Sequence, residues 1–125
     1  MAALIQDNFI MEQLNKIELK GNVGNNKVQI VGDNQVARFS VATNYVFKGK
    51  DGNAVIETTW HSVTAWGGRG MPDDLNKITK GTPVYVTGRL RQQRFTGQDG
   101  VERTIYEVMA KTVEILSSKE EFQPE

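Results

Sequence analysis

From Leu14 onward the chain alternates between apolar and polar positions, whereas residues 1–13 show no clean period and read as an N-terminal arm. LNKIELKGNV runs through Ile17 and Leu19 and meets glycines at Gly21 and Gly24. KVQIV follows as a short strand with a turn at Gly32-Asp33-Asn34. VARFSVATNYVF alternates Phe39, Val41 and Thr43 against Arg38, Ser40 and Ala42. A period of two belongs to a half-buried strand, because successive side chains point to opposite faces. KGKDGN, Lys48 to Asn53, is a hairpin turn, since its glycines tolerate positive φ. VIETTWHSVTAW is the next strand, PVYVTGRLRQQRF a long one, TGQDG a second hairpin turn, and VERTIYEVMAKTVEIL the returning strand.

GGRGMPDDLNKITKG interrupts the alternation. Pro72 suits a first helical turn, Asp73 and Asp74 its positive end, Lys77 and Lys80 its last turn, and Gly81 its stop. Leu75 and Ile78, three apart, share a face. One short helix between the third and fourth main strands therefore joins two strand hairpins. The predicted class is all-β, an OB-fold: a five-stranded Greek-key barrel. Other small β-barrels share the strand pattern, and the helix position selects the OB-fold. The expected organisation is an arm over 1–13, the barrel over 14–116, and a short acidic disordered tail over 117–125, SKEEFQPE after Ser117.

The two tryptophans, Trp60 and Trp66, lie in one stretch, ETTWHSVTAWGG. On that strand Trp60, Ser62, Thr64 and Trp66 share a face, and His61, Val63 and Ala65 share the other. Small apolar residues fill a tight barrel interior, so the rings belong outside, on a polar surface. On the long strand Val84, Val86, Gly88 and Leu90 share a face. Arg89, Arg91, Gln93 and Phe95 share the opposite one unless a bulge intervenes.

Composition narrows the chemistry. Lys+Arg and Asp+Glu are equal at 15 each over 125 residues, so binding by overall charge is excluded. Segregated charge is not: between Asp74 and Asp99 there is no acid, while Lys77, Lys80, Arg89, Arg91 and Arg94 all fall there. There is no cysteine and a single histidine, His61. That removes disulfides and thiol nucleophiles and leaves no ligand set for a metal, so neither metal nor cofactor is expected. No signal-peptide pattern and no apolar run of membrane length occurs, which points to the cytoplasm and to no membrane partner.

Rings interleaved with cations suit single-stranded nucleic acid. Every base offers a π-face worth ~1–3 kcal/mol in stacking, every nucleotide a negative charge, and stacking tolerates any base. Two same-face tryptophans would also suit an inter-subunit contact or a second small core beneath a loop.

NKIELKGNVG, ARFSVATN, TTWHSVTAWG and KGTPVYVTGRLRQQRF, in this order, resemble the bacterial single-stranded DNA-binding protein family over residues 14–116. WHSVTAWG followed by KGTPVYVTGRLR is the most specific part, and the likeness is to Bacteroides-type forms. The resemblance implies a homotetrameric OB-fold wrapped by single-stranded DNA in replication, repair and recombination. It places base stacking on Phe47, with Tyr45 beside it, and on Trp60, Trp66 and Phe95. It places phosphate contacts on Lys48, Arg69, Arg89, Arg91 and Arg94, and a subunit contact near His61. Gln93 stands at a commonly basic position, so no contact is carried to it. Family members often end in a Gly/Pro/Gln-rich linker and an acidic tip closing in Pro-Phe. SSKEEFQPE has neither, which puts recruitment of replication and repair proteins in doubt.

An enzyme is disfavoured: no nucleophile–base pair, phosphate-cradling glycine loop or metal cluster occurs. The alternative is an OB-fold protein-interaction or RNA-binding module, such as a replication-restart subunit.

Overall fold

The computed structural model describes residues 11–117, so most of the arm and tail lie outside the described residues. Five strands form one closed barrel: β1 (Ile17–Val31), β2 (Asn34–Lys48), β3 (Ala54–Trp66), β4 (Pro83–Thr96) and β5 (Glu102–Ile115). Their order around the barrel is β1-β2-β3-β5-β4, with β4 returning to β1. The expected all-β OB-fold is what forms.

β1 is one strand, although its glycines suggest two. Its first half pairs with β4, from Ile17↔Gly88 to Asn22↔Pro83. Its second half pairs with β2, and the register shifts between Val23 and Asn26. Gly24 and Asn25 together oppose Ser40 there, and the Ser40 hydroxyl accepts the Asn25 N–H at 3.2 Å. This bulge bends β1 so that it can serve both neighbours. At Gly21 a Cβ would overlap the Ala42 carbonyl, so glycine permits the close approach.

Phe39, Val41, Val63, Ala65, Val84, Val86 and Val108 fill the interior, all from the inward parity of their strands. The barrel closes through a short parallel pairing, Val63↔Val108 and Thr64↔Met109.

The helix expected between β3 and β4 is a single 3-10 turn, Leu75–Lys77. Asp74 caps it, accepting the Asn76 N–H at 3.0 Å. Three residues satisfy few backbone bonds, so tertiary contacts hold the turn instead. Leu75 and Ile78 are fully buried. Asn26 Nδ2 donates to both of their carbonyls, at 3.0 and 2.8 Å. Gln35 accepts the Leu75 N–H at 2.9 Å. The turn plugs the barrel rather than lying on it as a helix.

Candidate nucleic-acid interface

Cross-strand register decides what the outer face carries, because directly opposed residues share a face. β2 and β3 pair as Val36↔Trp66, Arg38↔Thr64, Ser40↔Ser62 and Ala42↔Trp60. Trp60 is 60% exposed and Trp66 42% exposed, while Val63 and Ala65 beneath them are buried. The alternation of WHSVTAW thus holds in three dimensions. Small partners explain the room around Trp60: it faces Ala42 on β2 and leans over Gly24 on β1.

Arg38 was not among the residues singled out from sequence, yet it sits on β2 between the positions opposite Trp60 and Trp66. Lys27 of β1 lies opposite Arg38. Both are exposed. Arg38 donates to Gln29 Oε1 at 2.7 Å, which steadies its guanidinium. Alternation already places Arg38 away from Phe39; the missing signal is the register that brings it beside the rings.

Across β3 the outer face continues onto β5 and β4. The opposed pairs are Arg89↔Met109, Arg91↔Glu107, Gln93↔Ile105 and Phe95↔Arg103. β4 itself keeps its alternation, since the register shift between Thr87 and Gly88 inserts Lys111 into β5 instead. Arg89, Arg91 and Phe95 therefore share a face as expected. Thr64 is buried on this face, between β2 and β5, and its hydroxyl is satisfied by donating to Glu107 Oε1 at 2.7 Å. Arg91 Nε stands 3.6 Å from Glu107 Oε2. Arg89 has no ion-pair partner among the described residues.

Not every candidate joins this surface. Tyr45 and Phe47 oppose Glu57 and Val55, which is the inward parity of β2 continued past the barrel's end. Their rings pack together at 6.0 Å, exposed, on the reverse of the hairpin from Trp60. Lys48, exposed, keeps the Trp60 parity. Arg94 opposes Thr104 and stands 3.9 Å from Glu102, on the reverse of the second hairpin from Phe95. Arg69 is exposed in the connection after β3. One continuous surface for all rings and cations is thus not what the barrel builds; both long hairpins offer two faces.

His61 points to the inward parity and is half-buried, with its Nε2 2.9 Å from Thr43 Oγ1. Burial pushes its pKa below the ordinary histidine value. Among the described residues no group of His, Cys, Asp or Glu could hold a metal ion. Nor is any described helix long and apolar enough to cross a membrane.

A closed barrel in this strand order, with exposed rings and cations on one outer face, defines an OB-fold. The chain belongs to the Single-strand binding protein family, whose pattern matches residues 14–116. It is 36% identical over 108 residues to the single-stranded DNA-binding protein of Xylella fastidiosa strain Temecula1, covering 85% of this chain. With the single-stranded DNA-binding protein 1 of Xylella fastidiosa strain 9a5c it shares 35% identity over 115 residues, 89% of this chain and 83% of that protein. The chain spans 65% of the Temecula1 relative, under two thirds of its length. The solved Plasmodium falciparum SSB complex with ssDNA aligns at TM-score 0.67 and 28% identity, covering 86% of this chain and 98% of that one.

Proposed function

We propose that this chain binds and protects single-stranded DNA without sequence preference, as a binding protein and not an enzyme. One observation carries the reading: two exposed tryptophans on an outer face crossed by Lys27, Arg38, Arg89 and Arg91. Stacking on flat rings ignores base identity, and guanidinium and ammonium groups hold the backbone. Trp60, Trp66, Phe95 and, on the hairpin's other face, Phe47 and Tyr45 are the stacking residues of this reading. Lys48, Arg69, Arg89, Arg91 and Arg94 are its phosphate contacts, with Arg38 and Lys27 added. Support comes from relatives named single-stranded DNA-binding proteins and from the Plasmodium complex with ssDNA.

The decisive experiment is a tryptophan-fluorescence titration with oligo(dT) at low and high salt, with duplex of equal length as control. Strong quenching by the single strand and weak response to duplex is the expected result. No quenching at low salt would assign the Trp60–Trp66 face to a protein contact instead.

The same reading extends to a homotetramer acting in replication, repair and recombination, in the cytoplasm with the nucleoid. His61 is its proposed assembly residue. Supporting assembly, Leu14, Leu90 and Tyr106 are apolar and exposed around one hollow beside the start of β1. Sedimentation of the full chain tests it, a monomer being the contrary result.

A further inference from the structure

Along the stretch of β5 that faces Arg89 to Phe95, the outer face holds one acid, Glu107. Opposite Arg89 to Phe95, the outward residues of β5 are Met109, Glu107, Ile105 and Arg103. A carboxylate is an odd choice on a surface meant for a polyanion. Thr64 does not account for its charge, because its hydroxyl needs only an acceptor, which a neutral amide oxygen would supply.

The geometry shows how the charge is used. Glu107 is anchored from the Thr64 side, where the contact is short, 2.7 Å. Towards Arg91 the nearest N–O separation is 3.6 Å, longer than a charge-assisted hydrogen bond. The Glu107 side chain is only 15% exposed, whereas that of Arg91 is 40% exposed. The carboxylate is therefore a fixed, partly desolvated charge, and the guanidinium beside it remains open to solvent. Arg91 Nη1 rests 3.8 Å from Met109 Sδ, which leaves the rest of its fork uncommitted. Arg89, one outward position away, faces Met109 and has no acid opposite it.

We propose that Glu107 is an internal competitor for the phosphate that Arg91 binds, orienting the guanidinium while weakening its hold on the DNA backbone. A phosphate docking on Arg91 meets a cation already half-neutralised and a second anion at close range. The contact then contributes less attraction and displaces less of the DNA's counterion atmosphere than an unopposed arginine does. Arg89 and Arg91 become a strong and a weak phosphate contact on the same strand. The weak one eases release of the strand without removing the groove's positive character. Glu107 is a positioning and tuning residue here, and the inference rests on the proposed role of Arg91.

The test compares the full chain with E107Q, R91A, R89A and the R91A/E107Q double variant. Each is titrated with oligo(dT) across a salt series. E107Q keeps an acceptor for Thr64 and removes the charge. It is expected to bind about 3- to 10-fold tighter and to steepen the log K against log salt slope by about 0.7, one phosphate's worth on a single strand. The gain should vanish in the R91A background, and R89A should flatten the slope more than R91A does. Circular dichroism confirms folding; should E107Q not fold, E107M, neutral and of similar length, reads the same charge. R91A weakening binding while E107Q leaves affinity and slope unchanged, or lowers both, would overturn the competitor role and leave the phosphate contact standing. R91A indistinguishable from wild type would overturn the phosphate contact itself, and this inference with it.

Discussion

Trp60 lies against Gly24: a β-carbon built on Gly24 would stand 2.5 Å from ring atom Cζ3 and 3.0 Å from Cη2. The bulge in β1 thus forms a seat for the ring, one without a side chain of its own. Gly24→Ala should displace the indole and also the Ser40 hydroxyl, which would lie 2.6 Å from the new β-carbon, because movable side chains yield before the barrel's backbone does. Oligo(dT) binding should weaken by up to the ~1–3 kcal/mol of a lost stack. Combining Gly24→Ala with Trp60→Ala should cost no more than Trp60→Ala alone, since both remove the same stack. Additive losses in a fluorescence or calorimetric titration would contradict the seat.

Trp60 and Phe47 occupy opposite faces of the β2–β3 hairpin. A single base cannot touch both. With a long oligo(dT), Trp60→Ala and Phe47→Ala should therefore lose affinity additively, within about 0.5 kcal/mol, as separated sites do. With an oligonucleotide of a few bases only one of the two substitutions should matter at a time. Strong coupling between them in a double-mutant cycle would place them around one nucleotide instead.

Leu75 and Ile78 hold the loop between β3 and β4 in the barrel. Leu75→Ala should cost about 2–5 kcal/mol of stability, a normal range for a fully buried leucine. Urea unfolding measures it. Single-strand affinity of the folded fraction should hardly change, as Leu75 is fully buried in the interior whereas Trp60 and Trp66 stand exposed on the outer face.

His61 gives a pH dependence with a definite sign. Burial lowers its pKa in the folded protein below the ordinary 6.5. Between that value and the lower folded one, the unfolded chain binds a proton that the folded chain refuses. Stability therefore falls as pH drops through this window and is fully present above it. Thermal melting at pH 7.5 and 5.5 should show a larger drop for wild type than for His61→Gln. The carboxylates with lowered pKa, such as Asp74, act at more acidic pH and do not confuse the comparison. Equal drops would mean that His61 charges freely in the fold.

Much of this protein is readable along the chain, because alternation and turn chemistry are local. Phe39, Val41, Val63 and Ala65 declare an interior simply by their spacing, and Trp60 and Trp66 declare an exterior by theirs. Gly32, Gly52 and Gly100, all with positive φ, mark the three hairpin turns. The short segment from Pro72 to Gly81 reads as a helix, since its caps and its Leu75–Ile78 spacing suit one. Packing reduces it to one 3-10 turn, because Asn26 and Gln35 take up the carbonyls and N–H that a longer helix would use itself. What no local pattern reveals is register, which depends on how distant strands align. Pairing across β1, β2 and β3 brings Lys27 and Arg38 to the tryptophans. Extension of β2 past the barrel turns Tyr45 and Phe47, inward by parity, out to solvent behind Trp60. Closure of β5 between β3 and β4 sets Glu107 between Thr64 and Arg91, residues far apart in sequence. These are long-range contacts, fixed by the barrel as a whole and absent from any short stretch of it.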